Sequence, residues 1–245
     1  MSLEEYSTDP KYVKFLYKCF YELHNILIDF NIGYWATSGT LLGAIRHKGI
    51  IPIDDDVDLA ISYKDVPIIL SKEFKKALDK KGFYVKFHSE SKQKATNGEK
   101  YDWIKINTKK KVAGRMCSID LFTQSMEVDK KGKYCITFET PWARELWPKE
   151  KYYLDELLPL KQVPFGEGII FAPKTPEPYL TRTYGKSWST TMMVTQDQDH
   201  YSLEKPIIIK SKRFRPAGEF ASGDKQYRLK KDDILLTMKG TNLLI

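Results

Sequence analysis

Three consecutive acids, Asp54-Asp55-Asp56, run straight into Val57-Asp58-Leu59-Ala60-Ile61, a stretch that otherwise reads as a buried strand. Side chains alternate faces along a strand, so Asp56 and Asp58 leave the same face at its start. Hard divalent cations such as Mg²⁺ take oxygen ligands and keep several waters. They are commonly held by one or two carboxylates together with substrate phosphates. The strand entry is therefore a candidate cation site, and the rest of the chain has to be arranged around it.

Two further segments bear on that site. Upstream, Thr37-Ser38-Gly39-Thr40 is a turn of small residues between a short apolar strand, Ile32 to Ala36, and a short helix, Leu41 to Arg46. Free backbone N–H groups at a helix start, with Gly39 allowing close approach, make a phosphate cradle of Ser38, Gly39 and Thr40. Downstream, Ile119-Asp120-Leu121-Phe122 places a lone carboxylate in an apolar strand. A buried charge costs several kcal/mol, roughly, unless a cation or partner compensates it. A metal shared by Asp56, Asp58 and Asp120 accounts for all three. Taken singly, each feature has a plainer reading: a solvated acidic loop, an ordinary turn, and a core aspartate paired with Arg115. In this order along one chain they point to a site.

The remaining sequence supplies a scaffold. Asp9-Pro10 reads as a helix cap followed by proline at the first position, and Tyr12, Leu16, Cys19, Phe20, Leu23, Leu27 and Phe30 recur at helical spacing to about Asn31. Asp65 is expected to cap a helix ending at Gly82. Phe83 to His88, Trp103 to Asn107, Cys117 to Phe122 and Tyr134 to Phe138 read as strands, with Ser89 to Lys100 as a polar, mobile loop. Val163 to Phe171 reads as a hairpin and Pro178 to Tyr184 as a short helix stopped by Gly185. The alternation predicts an α/β or α+β fold. With 245 residues, 42% of them apolar, the chain can bury a core, which excludes disorder. The three cysteines lack CxxC spacing, which argues against zinc and disulfides and fits a reducing compartment. The N-terminal residues contain no secretory h-region, and nowhere do 18 apolar residues run together. A cytoplasmic location is expected, or the secretory-pathway lumen if an anchor precedes the chain. The net charge of +8 suits anionic partners without choosing among them.

The order of phosphate turn, Asp-x-Asp strand and third carboxylate on a later strand resembles the nucleotidyltransferase superfamily. A closer resemblance is to the LicD family, which includes the fukutin-related proteins. It is carried by Ser38-Gly39-Thr40-Leu41-Leu42-Gly43-Ala44-Ile45-Arg46-His47-Lys48-Gly49-Ile50-Ile51-Pro52 leading into Asp54-Asp55-Asp56-Val57-Asp58. Ile119 to Phe122, Tyr152 to Leu160, Val163 to Gly166, and the late Pro173, Pro176, Tyr179-Leu180 and Tyr184-Gly185 extend it from about Tyr12 to His200. Ile53 stands where the family often has Trp, and the cysteine-bearing zinc insertion of some members has no counterpart.

The resemblance implies a nucleotidyltransferase-like mixed sheet flanked by helices, with family-specific C-terminal additions. It implies a catalytic domain over residues 1–200 and a basic extension over 201–245. It also implies transfer of phosphocholine or an alditol phosphate from a CDP-linked donor to a glycan hydroxyl, with Mg²⁺ or Mn²⁺ on Asp56, Asp58 and Asp120. Asp120 would also help activate the acceptor, and the donor pyrophosphate would lie across Ser38, Gly39 and Thr40. Arg46 is a candidate phosphate clamp, since a guanidinium binds phosphate oxygens in pairs. Asp54 is a supporting or acceptor-side group, while Asp55 is expected in solvent. Lys105 and Lys109 to Lys111 read as solvated, His24 as a partner of the core or of nearby polar groups, and Trp35 and Trp103 as core residues with the capacity to stack on a base or sugar. His200 matches a late family histidine. Three rivals remain: a nucleotidyltransferase using a nucleoside triphosphate, a nucleotide-sugar glycosyltransferase, and a polyanion-binding module. No nucleic-acid motif supports the last.

Overall fold

The computed structural model describes residues 6–88, 94–95, 98–99, 101–196 and 202–217. Helix α1 (Pro10–Asp29) starts where expected, the Asp9 carboxylate accepting from the Lys11 and Tyr12 amides. There follow β1 (Tyr34–Ala36), α2 (Ser38–Arg46), β2 (Val57–Ser62), α3 (Val66–Leu70), α4 (Lys72–Lys80) and β3 (Phe83–His88). Next come β4 (Lys94–Ala95), β5 (Gly98–Glu99), β6 (Trp103–Val112), β7 (Arg115–Val128), β8 (Tyr134–Phe138) and α5 (Pro141–Leu146). The described elements end with β9 (Tyr152–Tyr153), α6 (Leu154–Leu157), β10 (Lys161–Phe165), β11 (Gly168–Ala172), α7 (Glu177–Tyr184), β12 (Thr191–Gln196) and β13 (Ser202–Lys210).

The main sheet runs β1-β2-β7-β6-β3, with β8 and β9 continuing from β7. Its β2–β7 pair is parallel, and the other pairs are antiparallel. Helices pack against this mixed sheet, the expected α+β class. Along β7, Cys117, Ile119 and Leu121 have no exposure, while Met116, Ser118 and Phe122 on the other face are partly open. Strand β6 alternates in step, with Ile104 and Ile106 buried and Trp103 and Lys105 half-buried. Helix α1 lies against β6, β7 and α4 and contributes Leu16, Phe20, Leu23 and Leu27, all fully buried. Each such side chain stabilises by about 1.5–3 kcal/mol. One face of the sheet is thereby closed by apolar packing. The other carries Asp58, Asp120 and Lys105.

Several local expectations shift. Helix α2 begins at Ser38, so the small-residue turn is its first turn. The helix expected from Asp65 to Gly82 is two helices: Ser71 leaves helical geometry, and its hydroxyl accepts from the Phe74 amide to cap α4. Asp65 makes no such bond: its own backbone is helical rather than extended, and Pro67 in the first turn of α3 has no N–H to offer. Lys109 to Lys111 extend β6 to a two-residue turn, Ala113-Gly114, both at positive φ. Within Ser89 to Lys100, β4 pairs with β5, and the other positions lie outside the described residues. Strand β13 pairs with β12, joining the start of the expected extension to the preceding strand. Residues 218–245 lie outside the described residues.

The loop that leads into the acidic segment is held against α2 through Gly43. The Gly49 amide donates to the Gly43 carbonyl at 3.3 Å, and a Cβ on Gly43 would lie 2.5 Å from the Gly49 oxygen. Gly43→Ala should therefore destabilise by about 1–3 kcal/mol, overpacking outweighing the better helix propensity of alanine. Thermal unfolding checks this; an unchanged or raised melting temperature would show that this contact does not hold that loop.

Candidate active site

Helix α2 enters the site under strain. Strand β1 ends beside β2, the Thr37 amide donating to the Asp58 carbonyl at 3.2 Å, and Ser38 then takes φ of 46°. A left-handed residue without a glycine costs about 1–2 kcal/mol and persists only where surroundings hold it. Here the Ser38 amide donates to the Tyr179 hydroxyl at 3.1 Å, and its Oγ donates to Glu150 Oε2 at 2.8 Å. Tyr179 also donates to Glu150, at 3.1 Å, and stacks on Tyr152 with ring centroids 4.3 Å apart. Both tyrosine hydroxyls reach Thr37 Oγ1, at 2.9 Å from Tyr152 and 3.2 Å from Tyr179. One residue on, a Cβ at Gly39 would sit 3.1 Å from Asp54 Oδ2 and 3.9 Å from Asp58 Oδ2. A side chain here would press on the Asp54 carboxylate, and the bare backbone of Gly39 avoids that. Thr40 Oγ1 accepts from the Asp58 amide at 2.8 Å, tying α2 to β2.

The parallel register sets Asp58 beside Asp120. Asp56, Asp58 and Asp120 each offer a carboxylate oxygen, all within 4.8 Å of one another, and they form the one such metal-capable group among the described residues. Two full charges at that range repel by about 3–4 kcal/mol at an effective dielectric near 20. Burial pushes the Asp58 carboxyl well above the usual carboxylate range, and Asp56, Asp120, Asp54 and Glu150 push it further. Burial, then Asp56 and Asp55, raises Asp54 to about 8 against a partial offset from Arg46. Burial also raises Glu150, offset by its bonds from Ser38 and Tyr179. Lys105 Nζ meets Asp120 Oδ2 at 3.1 Å and Ser118 Oγ donates to Asp120 Oδ1 at 3.3 Å. An all-oxygen set with surplus negative charge fits a hard divalent cation.

The sequence-predicted residues are thus brought together in large part: Asp56, Asp58 and Asp120 converge, with Gly39 and Thr40 against them. Ser38 is present, with its amide and hydroxyl directed to Tyr179 and Glu150. Arg46, expected on phosphate, stands in the last turn of α2. Its NH1 donates to the Trp188 and Thr191 carbonyls, both at 2.9 Å, its guanidinium lies over Phe214, and burial lowers it to about 10. These contacts dock the helix end. Asp55 is not simply in solvent: Arg115 NH1 bonds it at 2.9 Å, while Lys105 forms an ion pair with Asp120. Lys105 is likewise no solvated lysine. His24, half-buried, bonds Tyr34 at 2.6 Å at the edge of the core, as a partner of nearby groups, and Trp35 is fully buried. Trp103 packs among Trp142, Trp147 and Phe122. His200 lies outside the described residues. Sequence reasoning missed Glu150, which sits in the polar run Pro148-Lys149-Glu150-Lys151 with no periodic signal, and the role of Tyr179.

Residues 31–175 match the family model described as LicD/FKTN/FKRP, nucleotidyltransferase domain. The chain belongs to the LicD family. Among its relatives, an uncharacterized protein of Rickettsia prowazekii is 31% identical over 206 residues, covering 84% of this chain and 66% of the relative. Lipopolysaccharide cholinephosphotransferase LicD of Haemophilus influenzae is 53% identical over 36 residues, 15% of this chain and 14% of that protein. Human ribitol 5-phosphate transferase FKRP is 41% identical over 63 residues, 26% of this chain and 13% of that protein. This LicD-family chain therefore spans about two thirds or less of the curated relatives it matches.

Because the acids repel one another, Asp58→Asn should raise the melting temperature of the protein in chelator. Relief of about 1 kcal/mol corresponds to roughly 2–4 °C for a chain of this size. The same variant should lose the rise that Mg²⁺ or Mn²⁺ produces in the parent protein. A metal-induced rise kept in Asp58→Asn would place the cation elsewhere.

Proposed function

We propose that this chain is a metal-dependent phosphotransferase that moves phosphocholine or an alditol phosphate from a CDP-linked donor to a glycan hydroxyl, releasing CMP. The observation that carries this reading is the convergence of Asp56, Asp58 and Asp120 next to the strained start of α2. Family membership and the activities named for the LicD and FKRP relatives support a phosphotransferase-type reaction. Residues 1–200 are assigned the catalytic domain and 201–245 the basic extension. No helix among the described residues is long and apolar enough to cross a membrane.

Mg²⁺ or Mn²⁺ held by Asp56, Asp58 and Asp120 would supply Lewis-acid stabilisation of charge on the reacting phosphate. The first i→i−4 bond of α2 runs from the Leu41 amide to the Thr37 carbonyl at 2.9 Å. The Gly39 and Thr40 amides precede it and are the groups assigned to the donor phosphates. The acceptor oxygen forms a bond to the distal phosphorus while the bond from that phosphorus to the bridging oxygen breaks. CMP leaves with the bridging oxygen and its electron pair. The hydroxyl proton passes to Asp120, which Ser118 and Lys105 hold in place. Such general-base help is worth about 10²–10⁴-fold.

Thermal shift with CDP-choline, CDP-glycerol and CDP-ribitol tests the donor class. A CDP-linked compound should raise the melting temperature only with Mg²⁺ or Mn²⁺ present, and Asp120→Asn should lower transfer by about 10²-fold or more. A response confined to nucleoside triphosphates would favour nucleotidyl transfer, and one confined to UDP-sugars would favour glycosyl transfer. Equal shifts in chelator would count against the metal-bridged donor.

A further inference from the structure

A cavity of about 770 Å³ opens beside the acids on the sheet face that carries them, and Asp56 forms part of its wall. Its floor is built by register. Ser118 is two residues before Asp120 on β7, Asn107 two after Lys105 on β6, and Tyr84 two before Lys86 on β3. The period of two puts them all on that face, about 7 Å along the strands from the row holding Asp120. Helix α2 meets the acids from the β1–β2 side. The cavity extends the other way, over β7, β6 and β3. In phosphoryl transfer the entering and leaving oxygens lie roughly in line across the phosphorus. With the donor phosphates at the start of α2, the entering hydroxyl arrives from the cavity side. The cavity's charges also discriminate. Lys105 is ion-paired with Asp120, and Arg115 with Asp55. Lys86 is exposed and makes no ion pair among the described residues.

Resting on the phosphotransferase reading, we propose that this cavity is the acceptor site. Asn107 and Ser118 face acceptor hydroxyls, and Lys86 receives an anionic group, phosphate or carboxylate, carried near the reacting hydroxyl. Lys86 is thus a specificity residue, and preferred acceptors are anionic.

The test uses the full chain, Mg²⁺ and the CDP-linked donor that gives the largest metal-dependent thermal shift, with glycerol and glycerol 3-phosphate as surrogate acceptors. The parent protein should prefer glycerol 3-phosphate by about threefold to tenfold, the range of an exposed ion pair or slightly more. Lys86→Ala should bring that ratio close to one while keeping the donor's metal-dependent shift, and Lys86→Arg should retain the preference. No preference in the parent protein, or one unchanged in Lys86→Ala, overturns the proposal. A donor shift that falls in Lys86→Ala also overturns it, by placing the donor in the cavity. Absence of any CDP-donor shift in the parent protein is read without acceptor. It overturns the functional reading itself and this inference with it.

Discussion

The site depends on one strand pairing. Strands β2 and β7 run parallel and in the register that sets Asp58 directly beside Asp120. Parallel neighbours cannot be joined by a tight turn, so the chain between them has to leave the sheet, build α3 and α4, and return through β3 and β6 before β7 is reached. The register is protected on the opposite face, where Leu59, Ile61, Ile119 and Leu121 are fully buried against the α1 side. A slip of one residue would turn every apolar side chain outward and bury the acids. The apolar packing of one face therefore holds in place an electrostatic conflict on the other.

That conflict is compensated unevenly. Lys105 and Ser118 engage Asp120, whereas Asp54 and Asp58 face other acids and the bare backbone of Gly39. Opposite them, Ser38 is held in a left-handed conformation by Glu150 and Tyr179, which come from the second half of the chain. Strain and like-charge repulsion thus meet at one point. The surrounding contacts hold both in place.

Much of this was legible in the residues. The face on which Asp58 leaves β2 follows from strand period, and the start of α1 follows from Asp9-Pro10, whereas Asp56 lies in the bend just before β2 and reaches Asp58 through the fold of that bend. The break at Ser71 was not legible, because the apolar spacing of Ile68, Ile69, Phe74 and Leu78 continues across it and only the local competition of the serine hydroxyl interrupts the helix. Lys105 read as solvated because its alternation with Ile104 and Ile106 says only that it faces away from them. That the opposite face holds Asp120 is a matter of register between β6 and β7. Arg46 read as a phosphate clamp from its chemistry, while its contacts with Trp188, Thr191 and Phe214 come from chain more than 140 residues away.

By itself the sequence determined the local geometry: a cap that starts α1, a small-residue helix start that tolerates close approach, and an apolar strand entered from an acidic run with Asp58 on one face. These are consequences of backbone stereochemistry and of the periods of helix and strand, which act over a few residues. The third carboxylate's position, its pairing with Lys105, the grip of Glu150 and Tyr179 on Ser38, and the cavity beyond β7 were decided only in the tertiary structure. They join residues far apart in the chain, and their distances depend on which strands pair and in what register. That choice is made by burial of the whole apolar face, to which no short segment is sensitive.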